Sequence, residues 1–120
     1  MKLNITERQV DDITFLNLSG DITFGEGSDI LRRAIRGLLN DGKKKIYLDL
    51  KAVVYVDSSG VGELVSGFTA VKRENGKLKL LNLSSRVRQL LTICKLLTIF
   101  DIDEAEKEAT IRKVSQQETN

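Results

Sequence analysis

Histidine, proline and tryptophan are absent from this chain of 120 residues, and cysteine occurs once. Without histidine, a Ser-His-Asp nucleophile, an imidazole proton shuttle and the usual zinc ligand sets are unavailable, which removes most hydrolytic chemistries. The single Cys94 cannot close an internal disulfide, and no basic, apolar, small-residue signal opens the sequence. Both points make a reducing cytoplasm the expected location. Long apolar runs are missing too: Val53-Val54 with Val56, and Leu96-Leu97 with Ile99-Phe100, fall far short of the ~20 residues a membrane span needs. No span is expected. Neither sign of charge dominates, the formal net charge being +2. The run Lys43-Lys44-Lys45 precedes an apolar strand pattern and reads as a solvated turn, so direct nucleic-acid binding is not expected.

What is present describes a folded protein. Hydrophobic residues make up 41% and charged residues 30%, well away from disorder, and the length suits one layered core. A single domain is expected over residues 1–114, followed by a polar tail at 115–120. The absence of proline leaves no interior break, and no internal repeat or linker stands out.

Leu3 and Ile5 alternate with polar neighbours, and a second alternation through Ile13, Phe15, Leu16 and Leu18 follows Asp11-Asp12. This pattern predicts an antiparallel hairpin. From Ser28 the period changes: Ile30, Leu31, Ala34, Ile35, Leu38 and Leu39 form one helical stripe, closed by Asn40-Asp41-Gly42. Ile46, Leu48 and Leu50 then alternate as a half-buried strand, followed by a short apolar run from Ala52 to Val56. Val61, Leu64, Val65, Phe68 and Val71 mark a second helix ending near Asn75-Gly76, and Leu78 and Leu80 the next strand. Ser84-Ser85 can cap a third helix with the stripe Val87, Leu90, Leu91 and Cys94, which makes Cys94 a core residue. A short strand over Thr98 to Ile102 and a last helix from Asp103 toward Val114 complete the expectation, Asp103 and Glu106 having capping-box spacing. The fold class is therefore α/β: a mixed sheet of four to five strands opened by an antiparallel hairpin, with about four helices. Because the central strands alternate strictly, those helices should lie on one face only.

Between the strand ending near Tyr55 and the helix starting near Gly60 lie Asp57-Ser58-Ser59-Gly60-Val61-Gly62, at the carboxyl edge where α/β proteins place their sites. On spacing alone, Ser58 or Ser59 is an N-cap, Asp57 a favourable charge, and Gly60 and Gly62 permit a tight turn. The two glycines lack the third of a dinucleotide fingerprint, and no P-loop is present. An enzyme pairing Asp57 with Ser58 would need a base that the sequence does not supply. A phosphate on Ser58, by contrast, would meet the unpaired N–H groups and positive end of a helix while adding roughly 1.5 to 2 negative charges beside Asp57.

These residues, with the strand before them, the helix after them and Leu78-Lys79-Leu80-Leu81-Asn82-Leu83, resemble the STAS domain of bacterial anti-sigma factor antagonists over nearly the whole chain. In that family the serine directly after the aspartate of D-S-[ST]-G-[LIV]-G is phosphorylated, which implies Ser58 here. The resemblance implies two partners: an anti-sigma factor serine kinase with a histidine-kinase-like ATPase fold, which modifies Ser58, and a metal-dependent serine phosphatase, which restores it. The antagonist is itself no enzyme and needs no cofactor. Family members carry Gly-Glu-Ile/Leu-Asp after the second strand, in a loop beside the serine turn. Gly20-Asp21-Ile22-Thr23 matches this in part, with Thr23 in place of the final aspartate and Gly25-Glu26-Gly27 following. The implied partner-binding residues are Asp21, Thr23, Gly25, Glu26, Asp57, Ser58, Ser59, Gly60, Gly62 and Glu63. Thr23 with Glu26 equally has capping-box spacing, and Glu63 reads equally as a first-turn acid. The expected function is capture of the anti-sigma factor by the unmodified protein, releasing a sigma factor. The alternative is a non-switching STAS scaffold in a lipid-transport ATPase or a signalling assembly. The protein is expected to be a monomer in isolation.

Overall fold

The computed structural model describes residues 1–96 and 100–103. Strands β1 (Asn4–Val10) and β2 (Ile13–Ile22) form the expected antiparallel hairpin, with Val10 paired to Ile13 and Asp11 taking the turn at φ 56°. Helix α1 (Glu26–Asn40), strand β3 (Lys45–Val56), helix α2 (Ser58–Arg73), strand β4 (Lys77–Leu81), helix α3 (Ser85–Ile93) and strand β5 (Asp101–Asp103) follow. The sheet runs β1-β2-β3-β4-β5, and every pair after the hairpin is parallel. The fold is thus α/β with a mixed sheet, and three helices lie among the described residues. Asp103, expected to open the last helix, ends β5; the remainder of that helix and the polar tail lie outside the described residues.

The strand alternation places the core. Leu16, Leu18 and Ile22 of β2, Ile46, Leu48 and Leu50 of β3, and Leu78 and Leu80 of β4 point to one face. They meet Leu31, Ile35, Leu64, Val71, Val87 and Leu91 of the helices. The helices cover that face alone. Ile13 and Phe15 fall on the opposite face, out of phase with Leu16 and Leu18, and the inward place between them belongs to Thr14. This corrects the pattern expected for β2. Thr14 is buried as a polar residue because the Gln9 amide, directly opposite in the hairpin, donates to its Oγ1 at 2.6 Å.

The open face protects itself with one row of paired side chains. Arg8, Phe15, Tyr47 and Lys79 stand opposite one another across β1, β2, β3 and β4. The two rings make an edge contact at 5.3 Å. The Arg8 guanidinium lies 4.4 Å from the Phe15 centroid, and the Lys79 ammonium 5.3 Å from that of Tyr47. Cations over aromatic faces at this range stabilise by ~0.5–1 kcal/mol each at exposed sites.

β3 is one continuous strand where the sequence suggested a strand and a separate apolar run. Its register against β2 slips between Asn17 and Ser19 and again between Gly20 and Asp21. Each slip adds a residue to β3, so its buried positions run 46, 48, 50, 53 and 56 and break the period of two. The bulges let β3 run past β4, whose pairing ends at Asp49, and carry Val56 level with Ile22 at the carboxyl edge.

Three local expectations change. α1 begins at Glu26 with Gly25 as its N-cap and no side-chain cap, so the Thr23–Glu26 capping box does not form. The Thr23 carbonyl instead accepts the Ser28 N–H at 2.9 Å. Cys94 closes α3 at its C-cap and is exposed, because the buried stripe of that helix ends at Leu91. The Ser84 cap forms as expected, its hydroxyl accepting the Val87 N–H at 3.2 Å. No described helix is long and apolar enough to cross a membrane.

Candidate functional site

The parallel pairing of Ile22 with Val56 makes the chain leave β2 and β3 side by side, so two short connections meet over the same sheet edge. One is the segment from Thr23 to Gly25, ahead of α1. The other is Asp57 alone, whose N–H donates to the Ile22 carbonyl at 3.3 Å. This adjacency brings Thr23, Gly25, Asp57, Ser58, Ser59 and Gly60 together, as the family resemblance implies.

Asp57 is the N-cap of α2, a role the sequence left to Ser58 or Ser59. Its backbone is extended, its carbonyl accepts the Val61 N–H at 2.9 Å, and its Oδ1 accepts the Gly60 N–H at 2.9 Å. Its Oδ2 accepts the Phe24 N–H at 3.0 Å from the neighbouring connection. These backbone donors, Phe24 first and Gly60 second, hold its pKa below the ordinary aspartate value.

The two serines differ in what their hydroxyls do. Ser59 lies half-buried with its Oγ 3.1 Å from Ser28 Oγ, and Ser28, 4% exposed, donates to the Thr23 carbonyl at 2.9 Å. Ser59 is therefore part of the seam between α1 and α2. Ser58, the first residue of α2, is exposed, and its Oγ makes no hydrogen bond among the described residues. An exposed hydroxyl at a helix start is an accessible nucleophile for a partner's reagent, and the positive end of the helix makes the position tolerable for an anion.

The two glycines also separate. A β-carbon on Gly60 would sit 2.0 Å from the Ile22 carbonyl oxygen and 2.8 Å from Val56 Cγ1, so only glycine lets α2 begin this close to the sheet. A β-carbon on Gly62 would meet nothing within 4 Å. Gly62 is exposed on the turn that carries Ser58.

Among the remaining expected residues, Asp21 is bound by the Met1 amino group at 2.5 Å beneath the loop. Glu26 opens α1. Glu63 lies beyond the first turn of α2, where it was expected as a first-turn acid, and pairs with Arg32 of α1 at 2.9 Å. Arg32 also binds Asp29 at 3.1 Å. Sequence reasoning missed two features. Phe24 is 84% exposed at the tip of the first connection; an aromatic set among Thr23, Gly25 and Gly27, off any apolar stripe, was the available signal. A hollow of about 370 Å³ also opens beside Ser58, with Tyr55, Arg86, Leu90 and Ile93 among its walls. Tyr55 is 48% and Ile93 69% exposed.

Comparison with known proteins gives the family and the fold. The STAS domain profile matches residues 4–109. The anti-sigma-B factor antagonist of Bacillus subtilis is 35% identical over 102 residues, 85% of this chain and 92% of its own. That of Staphylococcus aureus is 27% identical over 104 residues, covering 87% and 95%. Among solved structures, the Bacillus cell fate determinant SpoIIAA in its phosphorylated form superimposes with a TM-score of 0.69 at 21% identity, over 92% of this chain and 99% of its own. At that identity the likeness speaks for the fold. With a profile over nearly its whole length and a relative above 30% identity, the chain belongs to the STAS domain family, among the anti-sigma factor antagonists.

Proposed function

We propose that this protein captures an anti-sigma factor kinase while Ser58 is unmodified, thereby freeing a sigma factor, and that phosphorylation of Ser58 ends the capture. The observation that carries the reading is the difference between neighbouring hydroxyls: Ser59 is committed to Ser28, and Ser58 faces solvent with no partner among the described residues. Asp57, Ser59 and Gly60 hold the turn; Ser58 is free to react. The capture surface comprises Ser58, the connection with Thr23 and Gly25, Glu26 at the start of α1, the exposed Phe24 and the first turns of α2 with Gly62. Asp21 and Glu63 support that surface through their pairs with Met1 and Arg32.

In the modifying step Ser58 Oγ attacks the γ-phosphorus of ATP held by the partner. The Oγ–P bond forms as the bond to the ADP oxygen breaks, and the hydroxyl proton passes to a base on the partner. A metal-dependent serine phosphatase reverses the modification by hydrolysis, releasing inorganic phosphate. The chain supplies the acceptor and no catalyst, and needs no cofactor. The reading places it in the cytoplasm as a monomer between encounters.

Folding survives the added phosphate because the start of α2 favours an anion. Binding does not, because a dianion in a desolvated contact is expensive. A hundredfold loss of affinity requires only ~3 kcal/mol. Calorimetry with the cognate kinase tests this: Ser58→Ala should bind whether or not ATP is present, and Ser58→Asp should bind at least tenfold more weakly. Equal affinity of the two variants would sink the proposal.

A further inference from the structure

The hollow beside Ser58 contains a charged group that the capture surface does not use. Arg86 stands in the first turn of α3, is exposed, and makes no ion pair among the described residues. It shares the walls of the hollow with Ser58. The segment from Leu83 to Leu96 has no acidic residue, and Arg86 is the cation it places on the hollow. The other titratable groups on the hollow are Asp57 and Tyr55. Asp57 has both carboxylate oxygens occupied by backbone donors, the Phe24 and Gly60 N–H groups. The rest of the lining is largely apolar, including Val56, Val87, Leu90 and Ile93.

We propose that Arg86 is the internal receptor for a phosphate on Ser58, drawing the anion into the hollow between the starts of α2 and α3. A guanidinium offers a planar pair of donors that matches two phosphate oxygens, so the pairing is directional as well as electrostatic. The phosphate then lies across the apolar strip formed by Tyr55, Leu90 and Ile93. Modification thus acts twice: it places charge on the capture surface and covers the neighbouring apolar wall. The same pairing holds the phosphoserine in one orientation, the form in which a phosphatase meets it. This proposal rests on the reading that Ser58 is the modified residue.

Its test requires no kinase. Phosphoserine is installed at position 58 during translation, and the phosphate is titrated by phosphorus NMR in the otherwise unchanged protein and in Arg86→Gln. A free phosphoserine has its second pKa at about 6. Pairing with Arg86 should lower it by about half a unit or more, and Arg86→Gln should return it toward 6. Arg86→Lys should give an intermediate value, since a point charge replaces the fork. If the phosphate titrates alike with and without the Arg86 guanidinium, the proposal is overturned. An equal lowering in both proteins overturns it as well, by assigning the anion to the start of α2 alone. Failure of a kinase to label Ser58 would instead count against the proposed function and leave the titration unaffected.

Discussion

The Asp57 carboxylate joins residues far apart in the chain: one oxygen accepts the Gly60 N–H at 2.9 Å within its own helix start, and the other accepts the Phe24 N–H at 3.0 Å from the loop before α1. A single carboxylate therefore ties the turn that carries Ser58 to the connection that carries the exposed Phe24.

That link predicts an acid sensitivity. Because the folded pKa of Asp57 lies below its unfolded value, its stabilisation is complete above the ordinary value of about 3.9 and is lost as pH falls through the lower folded value. Urea midpoints followed from about pH 6 to about pH 2.5 should fall more steeply in the wild type than in Asp57→Ala across this window. Parallel curves would mean that the carboxylate is not held as described.

The two glycines of the motif should respond in opposite directions. Gly60→Ala forces a β-carbon against the Ile22 carbonyl oxygen and should destabilise by at least 1–3 kcal/mol, the usual range for overpacking. Gly62→Ala meets only open space and should stabilise by about 0.5–1 kcal/mol, since glycine weakens a helix by that amount relative to alanine. If the partner packs over this turn, Gly62→Ala binds it more weakly despite folding better. Chemical denaturation and calorimetry on the same preparations separate the two effects.

The serine seam offers a stability test independent of any partner. Ser28→Ala removes a buried hydroxyl bonded to Thr23 and Ser59 and should cost about 0.5–1.5 kcal/mol. Ser59→Ala leaves the Ser28 bond to Thr23 in place and should cost less. In a kinase assay Ser59→Ala should still be labelled, whereas Ser58→Ala should not; tryptic mapping of the labelled peptide decides between them.

Cys94 should behave as a surface thiol. The residue is exposed at the C-cap of α3, so an aromatic disulfide reagent should titrate it completely in the native protein, without denaturant. Protection that yields only on unfolding would place it back in the core.

Some of this was legible locally. The Asp11-Asp12 turn, the α1 stripe through Leu31, Ile35 and Leu38, and the Ser84 cap each depend on residues within a few positions of one another. Elsewhere packing overrode the local period. The two bulges in β3 shift its buried residues from every second to every third position, so one strand looked like two segments. Thr14 takes an inward place that a polar residue would not claim alone, because Gln9 satisfies it from the opposite strand. Cys94 continues the apolar spacing of α3 one turn past the point where the sheet can cover it.

By itself the sequence determined the excluded chemistries, the α/β order of elements and the motif at residues 57–62, because composition, hydrophobic period and turn residues act over short spans. Only the tertiary structure decided which hydroxyl is free. Ser58 and Ser59 are equivalent along the chain; the packing of α1 against α2 brings Ser28 to one of them and leaves the other in solvent. The same holds for Asp57 with Phe24, for Gly60 against Ile22, and for Arg86 beside Ser58. Their relationships arise from segments that meet only when the sheet assembles, and no local preference encodes that distance.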